Sequence, residues 1–263
     1  MNEQPQVRFD DGAAYERMMG IWSRIAGHIF LDWLKPRSGL RWVDIGCGNG
    51  AFTELIVERC APAEVQGIDR SEGQLAFART RPAARVAQFA RGDALALPFA
   101  PGQFDAAVMA LVIFFVPDPA KGVAEMARVV APGGTVAAYA WDMLGGGFPL
   151  EPFRDAMRAM GIKPLGPPRP EASRMEALRE LWTGAGLGEV ETRTITVERR
   201  FADFEDFWTA GLSGSSVGPT VAALVPADVE RLKANVRARL PADPSGRITY
   251  AARANAVKGR VKG

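Results

Sequence analysis

The chain has 263 residues, 48% of them hydrophobic and 24% charged, the balance of a globular protein with a sizeable core. Its 32 lysines and arginines nearly offset 30 aspartates and glutamates, leaving a net charge of +2, and no basic cluster alternates with aromatics, so no nucleic-acid partner is expected. Cys47 and Cys60 are too few for a disulfide framework and lack a CxxC companion for zinc, while no signal-like start or bilayer-length apolar run is present, so a cytoplasmic protein with no metal and no membrane span is expected.

In chain order, a polar start gives way to Ile21, Ile25, Ile29 and Trp33 at four-residue intervals, which predicts a helix packing that stripe on the rest of the chain. Tyr15, Met18, Met19 and Trp22 crowd the approach to it. Pro36 to Gly39 ends the helix. Residues 42–53, WVDIGCGNGAFT, then read as an apolar strand, a turn holding Gly46, Gly48 and Gly50, and a helix on which Phe52, Leu55, Ile56 and Arg59 recur. Glycines there let a ligand approach the backbone, and the helix start offers N–H groups to its polar parts, so a nucleotide-like cofactor is expected. Cys47, inside the turn, is a small tolerant side chain there, with no histidine nearby in sequence.

Strands and helices alternate from that point. Residues 65–68 predict a strand ending at Asp69, followed by a helix capped by Ser71. Residues 85–91 predict a third strand ending at Gly92 and Asp93. Residues 104–111 form a near-continuous apolar run suited to a buried parallel strand, residues 123–130 an amphipathic helix, and residues 135–141 a fifth strand. Beyond Asp142 the chain becomes rich in glycine and proline around a helix at 154–160. Ser173 is read as opening another helix, the alternation over 190–200 suits a strand near an edge, and a helical stretch with Phe204, Phe207 and Trp208 precedes a helix near 229–240 and a last strand at 248–257. The expected fold is α/β: a Rossmann-like, doubly wound seven-stranded sheet, mostly parallel with an antiparallel edge strand and helices on both faces.

Ligands of such sheets bind at the carboxyl ends of the strands. Asp44, Asp69, Asp93 and Asp142 are the acids expected at those ends, and Asp69 lies about twenty residues beyond the glycine turn, the spacing at which a carboxylate meets ribose hydroxyls. The glycine pattern alone also fits nicotinamide and flavin enzymes.

The whole set, VDIGCGNG, GIDRS, GDALALPF, FDAAVMALVIFFVPD and VVAPGGTVAAY in that order, resembles the class I S-adenosylmethionine-dependent methyltransferases of the ubiquinone-methyltransferase-like group. The resemblance implies that Asp44, Gly46, Cys47 and Gly48 line the methionine end of the cofactor. It implies that Asp69 holds the ribose, and that Arg70, Asp93 and Ala94 surround the adenine. Ala110 and Leu111 would lie near the methionine ammonium, and Tyr15, Trp22 and Arg24 would belong to an N-terminal lid. Where similar proteins often carry histidine after the fourth strand this chain has Phe114 and Phe115, and its one histidine, His28, sits in the first helix. No catalytic residue is evident.

The implied function is transfer of a methyl group to an O, N or C atom of a small apolar or aromatic molecule. Phe114, Phe115, Phe204 and Trp208 are the candidate substrate-facing side chains. A NAD(P)-dependent oxidoreductase and a non-catalytic S-adenosylmethionine-binding module remain alternatives, and a homodimer is a candidate assembly. Residues 1–263 are expected to form a single methyltransferase domain, with an N-terminal helical lid at 1–38, a cofactor-binding core at 39–142, and a substrate-side half at 143–263 carrying helical insertions at 143–187 and 201–246.

Overall fold

The computed structural model describes residues 19–213 and 216–263. Tyr15, and with it most of the segment expected to form the front of the lid, lies outside the described residues.

Seven strands form one sheet in the order β3-β2-β1-β4-β5-β7-β6. They are β1 (Arg41–Ile45), β2 (Glu64–Asp69), β3 (Ala87–Arg91), β4 (Phe104–Ala110), β5 (Val130–Trp141), β6 (Gly188–Phe201) and β7 (Ile248–Arg260). β1 pairs in parallel with both β2 and β4, so the strand order reverses beside it. That reversal opens a crevice at the carboxyl ends of β1 and β4. The antiparallel pairing expected at the edge is present, carried by β7: it runs antiparallel to β5 on one side and to the edge strand β6 on the other.

Nine helices connect the strands among the described residues: α1 (Ile21–Leu34), α2 (Ala51–Cys60), α3 (Glu72–Ala78), α4 (Pro119–Val129), α5 (Glu151–Ala159), α6 (Met175–Gly184), α7 (Phe204–Leu212), α8 (Gly218–Ala222) and α9 (Pro226–Arg237). They cover both faces. Phe30 of α1 packs on Tyr139 of β5 with ring centroids 4.7 Å apart. From the other face, Trp182 of α6 closes on Gly259, where a Cβ would sit 3.0 Å from the indole. The indole Nε1–H donates to the Val136 carbonyl at 2.8 Å.

Two details depart from the sequence expectation. The buried side of α1 is Trp22, Ala26 and Phe30 with Ser23, Gly27 and Leu31, whereas Ile21 is half exposed and Ile25, Ile29 and Trp33 lie on the flank. The reason is close approach to α2: a Cβ on Gly27 would lie 2.7 Å from Leu55 Cδ1, so the smallest residues, and not the isoleucines, mark the contact. Ser173 ends a short 3-10 turn (Pro170–Ser173) instead of capping α6. Its buried hydroxyl accepts from the Met143 amide at 3.2 Å and donates to the Pro170 carbonyl at 2.7 Å.

Candidate functional site

The glycine turn is held in place by its neighbours. Gly46, Gly48 and Gly50 have φ of 73°, 53° and 79°, left-handed conformations that L side chains rarely adopt, and a Cβ on Gly46 would come within 2.5 Å of Val112. The Gly46 and Cys47 amides both donate to the Ile68 carbonyl, at 2.7 and 3.0 Å. The Gly48 amide donates to Asp69 Oδ2 at 2.9 Å. The Gly46, Cys47 and Gly48 amides are thus engaged by β2, and at its glycines the turn offers a ligand bare backbone. Behind it, Arg81 donates to the Asn49 carbonyl at 2.6 Å and pairs with Glu54 at 2.8 Å, both side chains nearly buried.

Asp69 connects the turn to the next helix. Its Oδ1 accepts from the Ser71 amide at 2.8 Å, while Ser71 caps α3 by accepting from the Gln74 amide at 3.3 Å. Each carboxylate oxygen retains a second lone pair for a ligand hydroxyl. Asp93 Oδ1 accepts from the Leu95 amide at 2.9 Å, and the largely exposed Arg70 reaches to within 3.9 Å of Asp93 Oδ2. At the end of β4, Leu111 has a φ of 64° and its amide donates to the Tyr139 carbonyl at 2.8 Å. A strained non-glycine backbone of this kind is held only where the surroundings enforce it, and such positions gather at functional sites.

Asp44 lies within β1 and is fully buried. Thr53 Oγ1 donates to its Oδ2 at 2.6 Å, and its Oδ1 has no hydrogen-bond partner among the described residues. Burial pushes its carboxyl up to about 7, against the opposing effect of the Thr53 hydroxyl and with a further push from the Asp69 charge. Burial, reinforced by Asp44 and Asp69, also raises the Cys47 thiol far above its ordinary value, which removes it as a nucleophile.

These groups surround one cavity of about 430 Å³. Of the residues expected at the site, Arg24, Asp44, Gly46, Cys47, Gly48, Asp69, Arg70, Asp93, Ala94, Ala110, Leu111 and Phe115 line it. Arg24 does so from the mouth, where it pairs with Glu58 at 3.0 Å. Sequence reasoning overlooked Ser23, Gln74, Val112, Pro117 and Tyr139 on the same wall. Their signal was slight: Gln74 falls on the buried side of α3 and Tyr139 lies within an apolar strand.

Four expected residues are elsewhere. Trp22 is buried between Phe201 and Tyr250, with centroids at 6.4 and 6.3 Å, and does not reach the cavity. Phe114 is buried beside the cavity wall, its carbonyl accepting from the Arg169 amide at 3.1 Å. Phe204 and Trp208 are packing residues: Trp208 stacks on Phe153 at 5.2 Å and on Phe204 at 6.2 Å, and Arg237 covers the Phe204 ring at 4.2 Å. Neither Phe204 nor Trp208 lines the cavity. Asp142 also stays outside the cavity, where its Oδ1 accepts from the Gly145 amide at 2.9 Å.

Residues 43–138 match the family described as "Methyltransferase domain". Over that segment the chain is similar to methyltransferases. The chain is 37% identical over 115 residues to a demethylmenaquinone methyltransferase of Thermus thermophilus, covering 43% of this chain and 50% of that protein. It is 34% identical over 119 residues to a 2-phytyl-1,4-naphtoquinone methyltransferase of Thermosynechococcus vestitus, covering 44% and 51%. The chain thus spans about half the length of the curated relatives it matches. A crystal structure described as a putative methyltransferase from Bacillus halodurans superposes with a TM-score of 0.59 at 14% identity, covering 90% of this chain and 99% of that one, which shows a shared fold.

Proposed function

We propose that this chain is an S-adenosylmethionine-dependent methyltransferase acting on a small apolar or aromatic acceptor, with quinol-type rings as the first class to test. One observation supports this above the others. A fully buried carboxylate with one unbonded oxygen, Asp44, and a second carboxylate with spare lone pairs, Asp69, border the same cavity beside the glycine turn. The first suits a cation such as an amino-acid ammonium, and the second suits vicinal hydroxyls. Gly46 has no room for a Cβ, so the cradle fits a ligand that comes against the backbone. Asp93 and Ala94 then fall at the end left for the base.

When bound, the cofactor supplies a methyl group already activated on a sulfonium. The chain's own contribution is position and dryness. Phe115, Val116 and Pro117 give one side of the cavity an apolar wall that excludes water from the acceptor. His28 is not an imidazole base for the reaction, because it faces Arg59 at 3.1 Å on the outer side of α1. Orientation and desolvation thus carry the rate. The quinone methyltransferases named above support a ring acceptor, and the apolar wall supports it independently.

Calorimetry with S-adenosylhomocysteine tests the cofactor assignment. Asp69→Ala is expected to weaken binding by about tenfold or more, since it removes charge-assisted hydrogen bonds. Unchanged affinity in that variant would remove the assignment. A thermal shift with NAD(H) but none with S-adenosylhomocysteine would favour an oxidoreductase. Transfer of labelled methyl to a panel of hydroquinones and phenols separates a turning-over enzyme from a binding module.

A further inference from the structure

Asp44 and Thr53 are both fully buried and are joined by a hydrogen bond that the cofactor reading does not use. Thr53 lies in the first turn of α2, where the helix passes over the carboxyl end of β1. Its hydroxyl has one proton, and the 2.6 Å bond commits that proton to Asp44 Oδ2. The other oxygen, Oδ1, has no partner among the described residues, and Asp44 borders the cavity. The hydroxyl therefore distinguishes two otherwise equivalent oxygens, one anchored to the helix and one left without a partner on a residue that borders the cavity.

We infer that Thr53 is a positioning residue: it holds the Asp44 carboxylate in one orientation and favours its ionised form, so that Oδ1 is left for the cationic end of the ligand. This rests on the methyltransferase reading for the identity of that ligand. The electrostatic surroundings leave Thr53 as the group that favours the charge. Asp69, at the end of β2, repels it, and Cys47 in the turn is a neutral thiol. Glu54, the next residue of α2, is occupied by Arg81, and Arg24 from α1 by Glu58. β4 contributes Val108 opposite Asp44 and no charge. Burial opposes ionisation and the Thr53 hydroxyl counters it, so the carboxyl stands at about 7 and would rise without that bond.

The test is the pH dependence of S-adenosylhomocysteine affinity in the wild type, Thr53→Ser and Thr53→Val. Wild type is expected to lose affinity as pH falls through the Asp44 midpoint, and Thr53→Ser to follow it. Thr53→Val keeps the shape and lacks the donor, so its midpoint is expected to rise by about one unit. This weakens binding about fivefold near pH 7 and hardly at all near pH 8.5. A loss in Thr53→Val that is equal at every pH, or no loss, overturns the inference. So does a Thr53→Ser variant as impaired as Thr53→Val. If Thr53→Val does not fold, Thr53→Cys, a weaker donor of similar size, is expected to move the midpoint in the same direction, and an unmoved midpoint overturns the proposal. A readout without ligand is the carbon-13 carboxyl titration of Asp44 in the free protein, assigned by its absence from Asp44→Asn. The failures are separable: a wild type that binds no S-adenosylhomocysteine refutes the methyltransferase reading. One that binds it, and is weakened by Asp69→Ala but insensitive to Thr53→Val, refutes only the role of Thr53.

Discussion

A carboxyl group with no exposed surface and one unbonded oxygen costs stability once it ionises, because nothing replaces the water it left. Asp44 is such a group, at about 7 against an ordinary value of 3.8. The sign follows from proton binding. Between those two values the folded state keeps a proton that the unfolded state has released, so the stability that Asp44 retains in acid is lost as pH rises through its folded value. Asp44→Asn removes this dependence and keeps an acceptor for Thr53. It is expected to be more stable than wild type above about pH 7 by roughly 1–2 kcal/mol, with the gain vanishing near pH 4, as read by urea denaturation at several pH values. The same variant is expected to lose S-adenosylhomocysteine affinity. A variant no more stable than wild type in alkali would mean that water or backbone movement already satisfies the carboxylate.

Among the elements, α6 shows how a single side chain docks a helix. Trp182 is fully buried and donates to the Val136 carbonyl at 2.8 Å, so Trp182→Phe loses a buried hydrogen bond and part of a ring. The expected cost is about 1–3 kcal/mol in chemical denaturation, with S-adenosylhomocysteine affinity unchanged, because α6 is remote from the glycine turn. This also bears on what the chain's residues reveal in advance. Strands, glycine turn and acids of the first half were legible because parallel βα units repeat a short pattern, and the ligand crevice falls at fixed places in it. The partners that complete the site were not. Thr53 and Gln74 read as ordinary helix residues until α2 and α3 are laid over the strand ends. In α1 the isoleucines drew attention away from Gly27, whose contact with Leu55 depends on having no side chain. Phe204 and Trp208 have the composition of a ligand wall, and only tertiary packing shows them stacked on Phe153. Aromatic content states how much surface will be buried, not against what.

For the whole molecule, the placement of β7 decides how the sheet holds together. The strand pairs with β5 over residues 254–260 and with β6 along nearly its whole length. Its small residues Ala252, Ala254 and Ala256 are fully buried. β6 has no other partner in the sheet. Deleting residues 248–263 therefore exposes the edge of β5 and leaves β6 unpaired. The truncated chain is expected to appear in the insoluble fraction on expression, since open strand edges template aggregation. Soluble truncated protein with native S-adenosylhomocysteine affinity would show instead that the first half stands alone.

The same placement sets an order of events on the ribosome. β1 to β4 and the glycine turn are complete by Ala110, and Tyr139 follows in β5, so every described residue bordering the cavity is synthesised more than a hundred residues before β7. Chains emerge at about 5–20 residues per second, which gives the nucleotide-sized cradle several seconds in which β5 still has a bare edge. The strand that closes the sheet is thus made more than a hundred residues after the cradle, and a small molecule seated there during that interval would add stability. A ligand of the cradle would then aid folding, and the yield of the protein would be tied to its supply.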